Sequence, residues 1–125
     1  MLSSPFLPSR FSPELPYELS ELRVVVEYPA SETNDSLCKG WNLSESQVRE
    51  LLGAAQPITA QEQHYAFDHL PCKVEGRLSQ KGQTYTLTCN GGAWLSISHQ
   101  DTTLLFGHFG KTLDAYFISP PYADE

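Results

Sequence analysis

Four residues with the chemistry of an active site fall close together in the segment HYAFDHLPC, where His64, Asp68, His69 and Cys72 place two imidazoles and a carboxylate beside a thiol. Asp68 next to His69 would supply an acid–base pair, and Cys72 a nucleophile or a soft metal ligand. If a helix ran that far, His64 and Asp68 would share a face, whereas the two histidines, five positions apart, would diverge. The spacing matches no zinc signature, since neither C-x-x-C nor H-E-x-x-H occurs. The plainer reading is a helix C-terminus, where the dipole favours His, running through Pro71 into a strand. That reading is preferred, with a small metal-dependent or Cys/His hydrolase-like enzyme as the alternative.

The other chemical candidates are weaker. Gly107-His108-Phe109-Gly110 is a glycine-bracketed loop of the kind that can hold a functional side chain. It lacks the strand–turn–helix context of a phosphate loop. Asn90-Gly91-Gly92 reads as a turn before it reads as an anion cradle. Ser44 is better explained as a helix cap than as a nucleophile, because no G-x-S-x-G surrounds it.

These residues sit among well-marked elements. From Cys72 to Phe106, apolar and polar residues alternate with period two and turn residues interrupt three times, the pattern of antiparallel strands with one buried face. The strands are expected at Cys72–Leu78, Gln83–Cys89, Ala93–Ser98 and Thr102–Phe106, with a last one at Leu113–Ile118. Leu22–Tyr28 is a further strand, carried by Val24, Val25 and Val26. Ser44 followed by Gln47, and Thr59 followed by Glu62, are capping boxes. The first opens an amphipathic helix with Val48, Leu51, Leu52 and Ala55 on one stripe, and the second a short helix over Ala60–Phe67. By parity Val74, Leu78, Tyr85, Leu87, Leu95 and Ile97 share the buried face. Trp94 falls on the opposite face among Thr84, Thr86, Thr88, Ser96 and Ser98. There it is either covered by the proline-rich arm of residues 1–20 or an anchor for a partner. The fold class is α+β, an antiparallel meander with one or two helices packed on one face. The organisation is a proline-rich extended arm over residues 1–20, one domain over 21–119 and a tail over 120–125.

Composition narrows the functions. The chain has 125 residues, 40% hydrophobic and 18% charged, which suits a single globular domain with its own core. Its net charge of −7 argues against nucleic acid or an anionic membrane as partner. The charge is uneven: residues 1–36 hold six acids against Arg10 and Arg23, while residues 69–111 hold four bases against Glu75 and Asp101. Three cysteines, Cys38, Cys72 and Cys89, cannot all pair, and Cys72 and Cys89 read as small core residues. An odd count with no signal-peptide pattern or membrane-span-length apolar run points to a soluble, cytoplasmic protein.

The run YAFDHLPCKVEGRLSQKGQTYTLTCNGGAWLSI, followed by LLFG, resembles a pattern in small uncharacterised bacterial proteins, and covers about a third of the chain. Small acidic proteins of this layout are similar to bacterial immunity proteins, which neutralise a cognate toxin by occluding it. The resemblance lends no catalytic residues and no cofactor. What it implies is a non-catalytic module that binds another protein, a toxin or effector, as monomer or dimer. The binding residues expected are Trp94 and Trp41 as anchors, with Glu27, Glu32, Asp35 and Glu45 as the acidic surround. A self-associating structural subunit pairing through a sheet edge is the remaining alternative.

Overall fold

The computed structural model describes residues 11–27, 38 and 40–118. Its centre is the alternating stretch read above. Strands β3 (Cys72–Gln80), β4 (Gln83–Asn90), β5 (Trp94–His99) and β6 (Thr102–Gly107) follow one another in space as they do in sequence. Two further strands extend the sheet out of sequence order. β1 (Glu18–Val26) pairs with β3, and the two-residue β2 (Gln56–Pro57) pairs with β6. The result is a six-stranded antiparallel sheet in the order β1-β3-β4-β5-β6-β2, so the strict meander expected from sequence holds only for its four central strands.

The turns explain why those four strands are neighbours. β3 and β4 are joined by Lys81 and Gly82, both at positive φ (52° and 79°), which matches the twist of a two-residue hairpin. Gln100, at φ 54°, serves the same purpose between β5 and β6. Register then fixes the faces. Val74 lies opposite Cys89, Cys89 opposite Leu95, and Leu95 opposite Phe106, giving a row of apolar side chains across the sheet. Val74, Leu78, Leu87 and Leu95 are fully buried and Ile97 and Tyr85 nearly so, as parity predicts.

Both capping boxes form. Ser44 accepts from the Gln47 amide at the start of α1 (Glu45–Ala54), and Thr59 from the Glu62 amide at the start of α2 (Ala60–Ala66). In each, the third helical side chain reaches back to the cap's own N–H, which satisfies two otherwise orphaned donors. Val48, Leu51 and Leu52 of α1 are buried and belong to the same apolar cluster as Val74, Leu87 and Leu95. α2 buries no residue of its own, and Phe67, its C-cap, does so instead.

The expected last strand is absent. Within residues 113–118 the chain makes a short 3-10 turn at Asp114–Tyr116, with Leu113 and Phe117 buried on either side. The sheet edge beyond β6 belongs to β2. β1 begins at Glu18, inside the stretch read as an arm, and carries a bulge where Glu21 adopts φ 58° between Ser20 and Arg23.

Residues 11–17 lie against the domain. Phe11 is buried edge-on to Tyr17 and Tyr85. A buried amide ties this segment down: Gln80 Oε1 accepts from the Ser12 amide (2.9 Å), while its Nε2 donates to the carbonyls of Ser12, Leu15 and Pro16. Proline-rich backbone has few N–H groups with which to pair itself, so a side-chain amide is a natural partner for its carbonyls. Replacing Gln80 with Ala is expected to cost about 2 kcal/mol. Hydrogen exchange should then show residues 11–17 opening before the sheet; unchanged protection there would contradict this.

The cysteines correct the sequence reading. Cys72 is buried, but it is not a lone core thiol: it forms a disulfide with Cys38, with their Cα atoms 5.9 Å apart. Cys89 alone stays reduced, and complete burial pushes its thiol up to about 12. Burial likewise raises the phenols of Tyr85 and Tyr17, and the hydrogen bond to Glu50 raises that of Tyr116. Each of these groups keeps its proton in the folded chain at a pH where the unfolded chain has lost it. Their contribution is complete below the unfolded values and is lost as pH rises through the folded ones. The denaturation midpoint is therefore expected to fall steadily between pH 9 and 12, and a flat profile there would rule out a protonated, sealed Cys89.

Candidate functional site

The segment that opened the sequence reading proves to be a structural seal. After α2 the chain from Phe67 to Leu70 lies across the end of the sheet where β4 turns into β5. Asn90, buried, holds it there. Its Oδ1 accepts from the amides of Leu70 (3.0 Å) and Gly92 (2.9 Å), and its Nδ2 donates to the Leu70 carbonyl (3.0 Å). The approach is close enough that a Cβ on Gly92 would collide with the Asp68 carbonyl, and one on Gly107 with the Phe67 ring. These two glycines are there for clearance.

Trp94 is part of the same seal. Parity places it on the Thr/Ser face, as read from sequence, yet it is only 9% exposed. Its Nε1 donates to the Asp68 carbonyl (2.9 Å) and its ring lies 4.9 Å from that of His69. The cover comes from the segment before β3, not from the proline-rich arm. Trp41 is half-buried, with Nε1 donating to the Tyr116 carbonyl (2.8 Å). Glu27 at the end of β1 pairs with Lys73 (3.3 Å), and Glu45 with Arg49 (3.1 Å). Glu32 and Asp35 lie outside the described residues.

The proposed cluster lacks its nucleophile. Cys72 has no thiol to offer, because its sulfur is bonded to Cys38. His69 Nε2 lies 2.8 Å from the Gln63 carbonyl, and His64 packs edge-on against Tyr65. Among the described residues no three His, Cys, Asp or Glu side chains converge as metal ligands. The glycine-bracketed His108 is buried, and its Nε2 and Asp114 Oδ1 have no hydrogen-bond partner among the described residues.

What remains open is the sheet itself. The outer face of β3, β4 and β5 presents Thr84, Thr86, Thr88, Ser96 and Ser98, flanked by Lys73, Glu75 and Arg77 in ion pairs with Glu27, Arg23 and Glu21. Lys73, between Glu27 and Glu75, is held above the ordinary lysine value: partial burial works against its charge, but the two carboxylates prevail. The two sheet edges differ. β1 is protected by its bulge and by Glu18, Glu21 and Arg23. Among the described residues β6 is covered only as far as Ile58, whose amide donates to the Leu105 carbonyl (3.0 Å), before the chain leaves to start α2.

Beyond that point a cleft of about 590 Å³ opens, lined by Phe11–Glu14, by Ala55, Pro57, Ile58 and Ala60, and by Thr103–Phe106. Successive strand residues point to opposite faces, so a cleft lined by four in a row reaches the edge of β6, next to the core residues Phe11, Ala55, Leu104 and Phe106. Among the described residues Glu14 is its one ionisable lining residue, held below the ordinary carboxylate value by the Ser12 hydroxyl, which donates to it at 2.6 Å.

No residue pattern announces this cleft, because β2 is only two residues long. Gln80 and Asn90 were also missed, since turn-forming residues are chosen for backbone reasons in most turns. No helix among the described residues is long and apolar enough to cross a membrane. No protein-family description, curated protein or solved structure matches the chain.

Proposed function

We propose that this protein acts by binding another protein and carries out no chemistry of its own. The observation that carries the reading is the cleft along the edge of β6, which among the described residues is left uncovered and is lined by strand backbone, apolar side chains and a single carboxylate. Such a surface recognises a partner; it has no paired acid and base with which to transform one. The specific version is an inhibitor of the immunity-protein kind, which occludes a toxin or effector. Its support is the net charge of −7, which would steer a basic partner. In this reading α1 covers the face carrying Val74, Leu87 and Leu95, and the Thr/Ser face is left free beside the cleft. The paired Cys38 and Cys72 favour an oxidising compartment over the cytoplasm expected from an odd cysteine count.

The test is affinity capture by the full chain from its source cells, followed by calorimetric titration of the purified partner. One partner binding at fixed stoichiometry, more weakly as salt is raised, is the expected result. Turnover of a small substrate by the chain alone would overturn the reading.

A further inference from the structure

We infer that the β6 cleft binds an extended peptide segment carrying a basic side chain, which adds to the sheet as a strand where β2 stops. The inference rests on the protein-binding reading above and names the form the partner takes. Hydrogen-bond direction alternates along an antiparallel strand. His108 donates to the Ala93 carbonyl and Ile58 to that of Leu105, so Phe106 and Leu104 face β5 while Leu105 and Thr103 face outward. β2 pairs only with Gly107 and Phe106. Thr103 therefore directs its N–H and C=O into the cleft with no strand of the described residues beside it, and Thr103 is exposed. An unpaired strand edge is a template for another strand, and main-chain bonds supply affinity whatever the sequence.

The walls say which strand. Phe11, Pro13, Ile58 and Ala60 of its lining are apolar, so the side chains of the guest that meet them would be apolar. Glu14, on the wall formed by residues 11–14, stays ionised through its bond from Ser12 and calls for Lys or Arg opposite it. The other edge offers no equivalent, because the bulge at Glu21 interrupts β1.

The experiment selects binders to the full chain from a phage-displayed library of random ten-residue peptides and measures the selected peptides against two variants. Thr103→Pro removes the outward N–H, a change an edge strand tolerates. Glu14→Lys reverses the charge. The expected result is enrichment of alternating apolar peptides with a basic residue, tenfold or more weaker on Thr103→Pro and several-fold weaker on Glu14→Lys. Should Thr103→Pro fail to fold, Ala60→Phe fills the cleft without altering a strand and should weaken binding equally. Peptides that bind all variants alike, or no enrichment, would overturn the inference. So would a dimer of the unmodified chain that Thr103→Pro dissociates, since the occupant would then be a second copy. A natural partner that binds Thr103→Pro as tightly as the parent would sink the edge while leaving the protein-binding reading standing.

Discussion

Replacing Cys38 with Ser is expected to lower the unfolding free energy by about 4 kcal/mol, the loop-closure value for a cross-link over this span. The disulfide joins residues 34 apart in sequence, and that span contains both helices and β2. One end of the clasp is in β3, where Cys72 lies opposite Val26 and accepts from the Gly91 amide. The other leads directly to Trp41, whose amide donates to the Cys38 carbonyl, and on to the Ser44 cap of α1. Without the bond, the unfolded chain regains the freedom of the whole span. For a domain of this size that cost corresponds to a fall of about 15 °C in melting temperature. A reducing agent should lower the parent's melting point by a similar amount and leave the Cys38→Ser variant unmoved. Equal melting of parent and variant under oxidising conditions would show that the two sulfurs are not joined in solution.

The second large effect is expected at Asn90. Asn90→Ala removes three hydrogen bonds at once and leaves the amides of Leu70 and Gly92 and the Leu70 carbonyl without their partner in a largely buried place. At about 1 kcal/mol for each, the loss is about 3 kcal/mol. The loss is also local. Residues 67–70 would lift from the sheet and take with them the Asp68 carbonyl on which Trp94 depends. Tryptophan fluorescence should shift to the red below the main melting transition. Gly92→Ala should reproduce that signature from the opposite direction, by pushing the Asp68 backbone away. A single sharp transition in both variants, with no early shift, would mean that the seal is held by other contacts.

These two sites show where sequence patterns inform and where they stop. The strands from Cys72 to Gly107 and both helix starts were legible because each is encoded locally, in period-two alternation or in a cap and its third residue. Trp94's face was legible for the same reason. Its burial was not, since the cover comes from residues 67–70, more than twenty positions earlier, and nothing in the alternation says which segment will cross a sheet's end. Asn90 and Gln80 each make their bonds to backbone, and backbone partners leave no mark on the sequence. The pairing of Cys38 with Cys72 was hidden similarly: alternation made Cys72 a core residue, which it is, and burial does not distinguish a thiol from half of a disulfide. The edge of β6 depends on where β2 ends, and two residues carry no period.

The placement of β1 beside β3 has a consequence for how the chain is made. β3 to β6 are hairpin neighbours and can zip locally, whereas β1 must wait for a partner that ends at Gln80, 54 residues after Val26 (80 − 26). At ordinary synthesis rates of 5–20 residues per second that interval is roughly 3–11 s. For that time Val24, Val25 and Val26 are an unpaired β-forming run on a growing chain. Glu18, Glu21, Arg23 and Glu27 flank or interrupt it, the arrangement by which charged residues keep a waiting strand from pairing with its counterpart on the next ribosome.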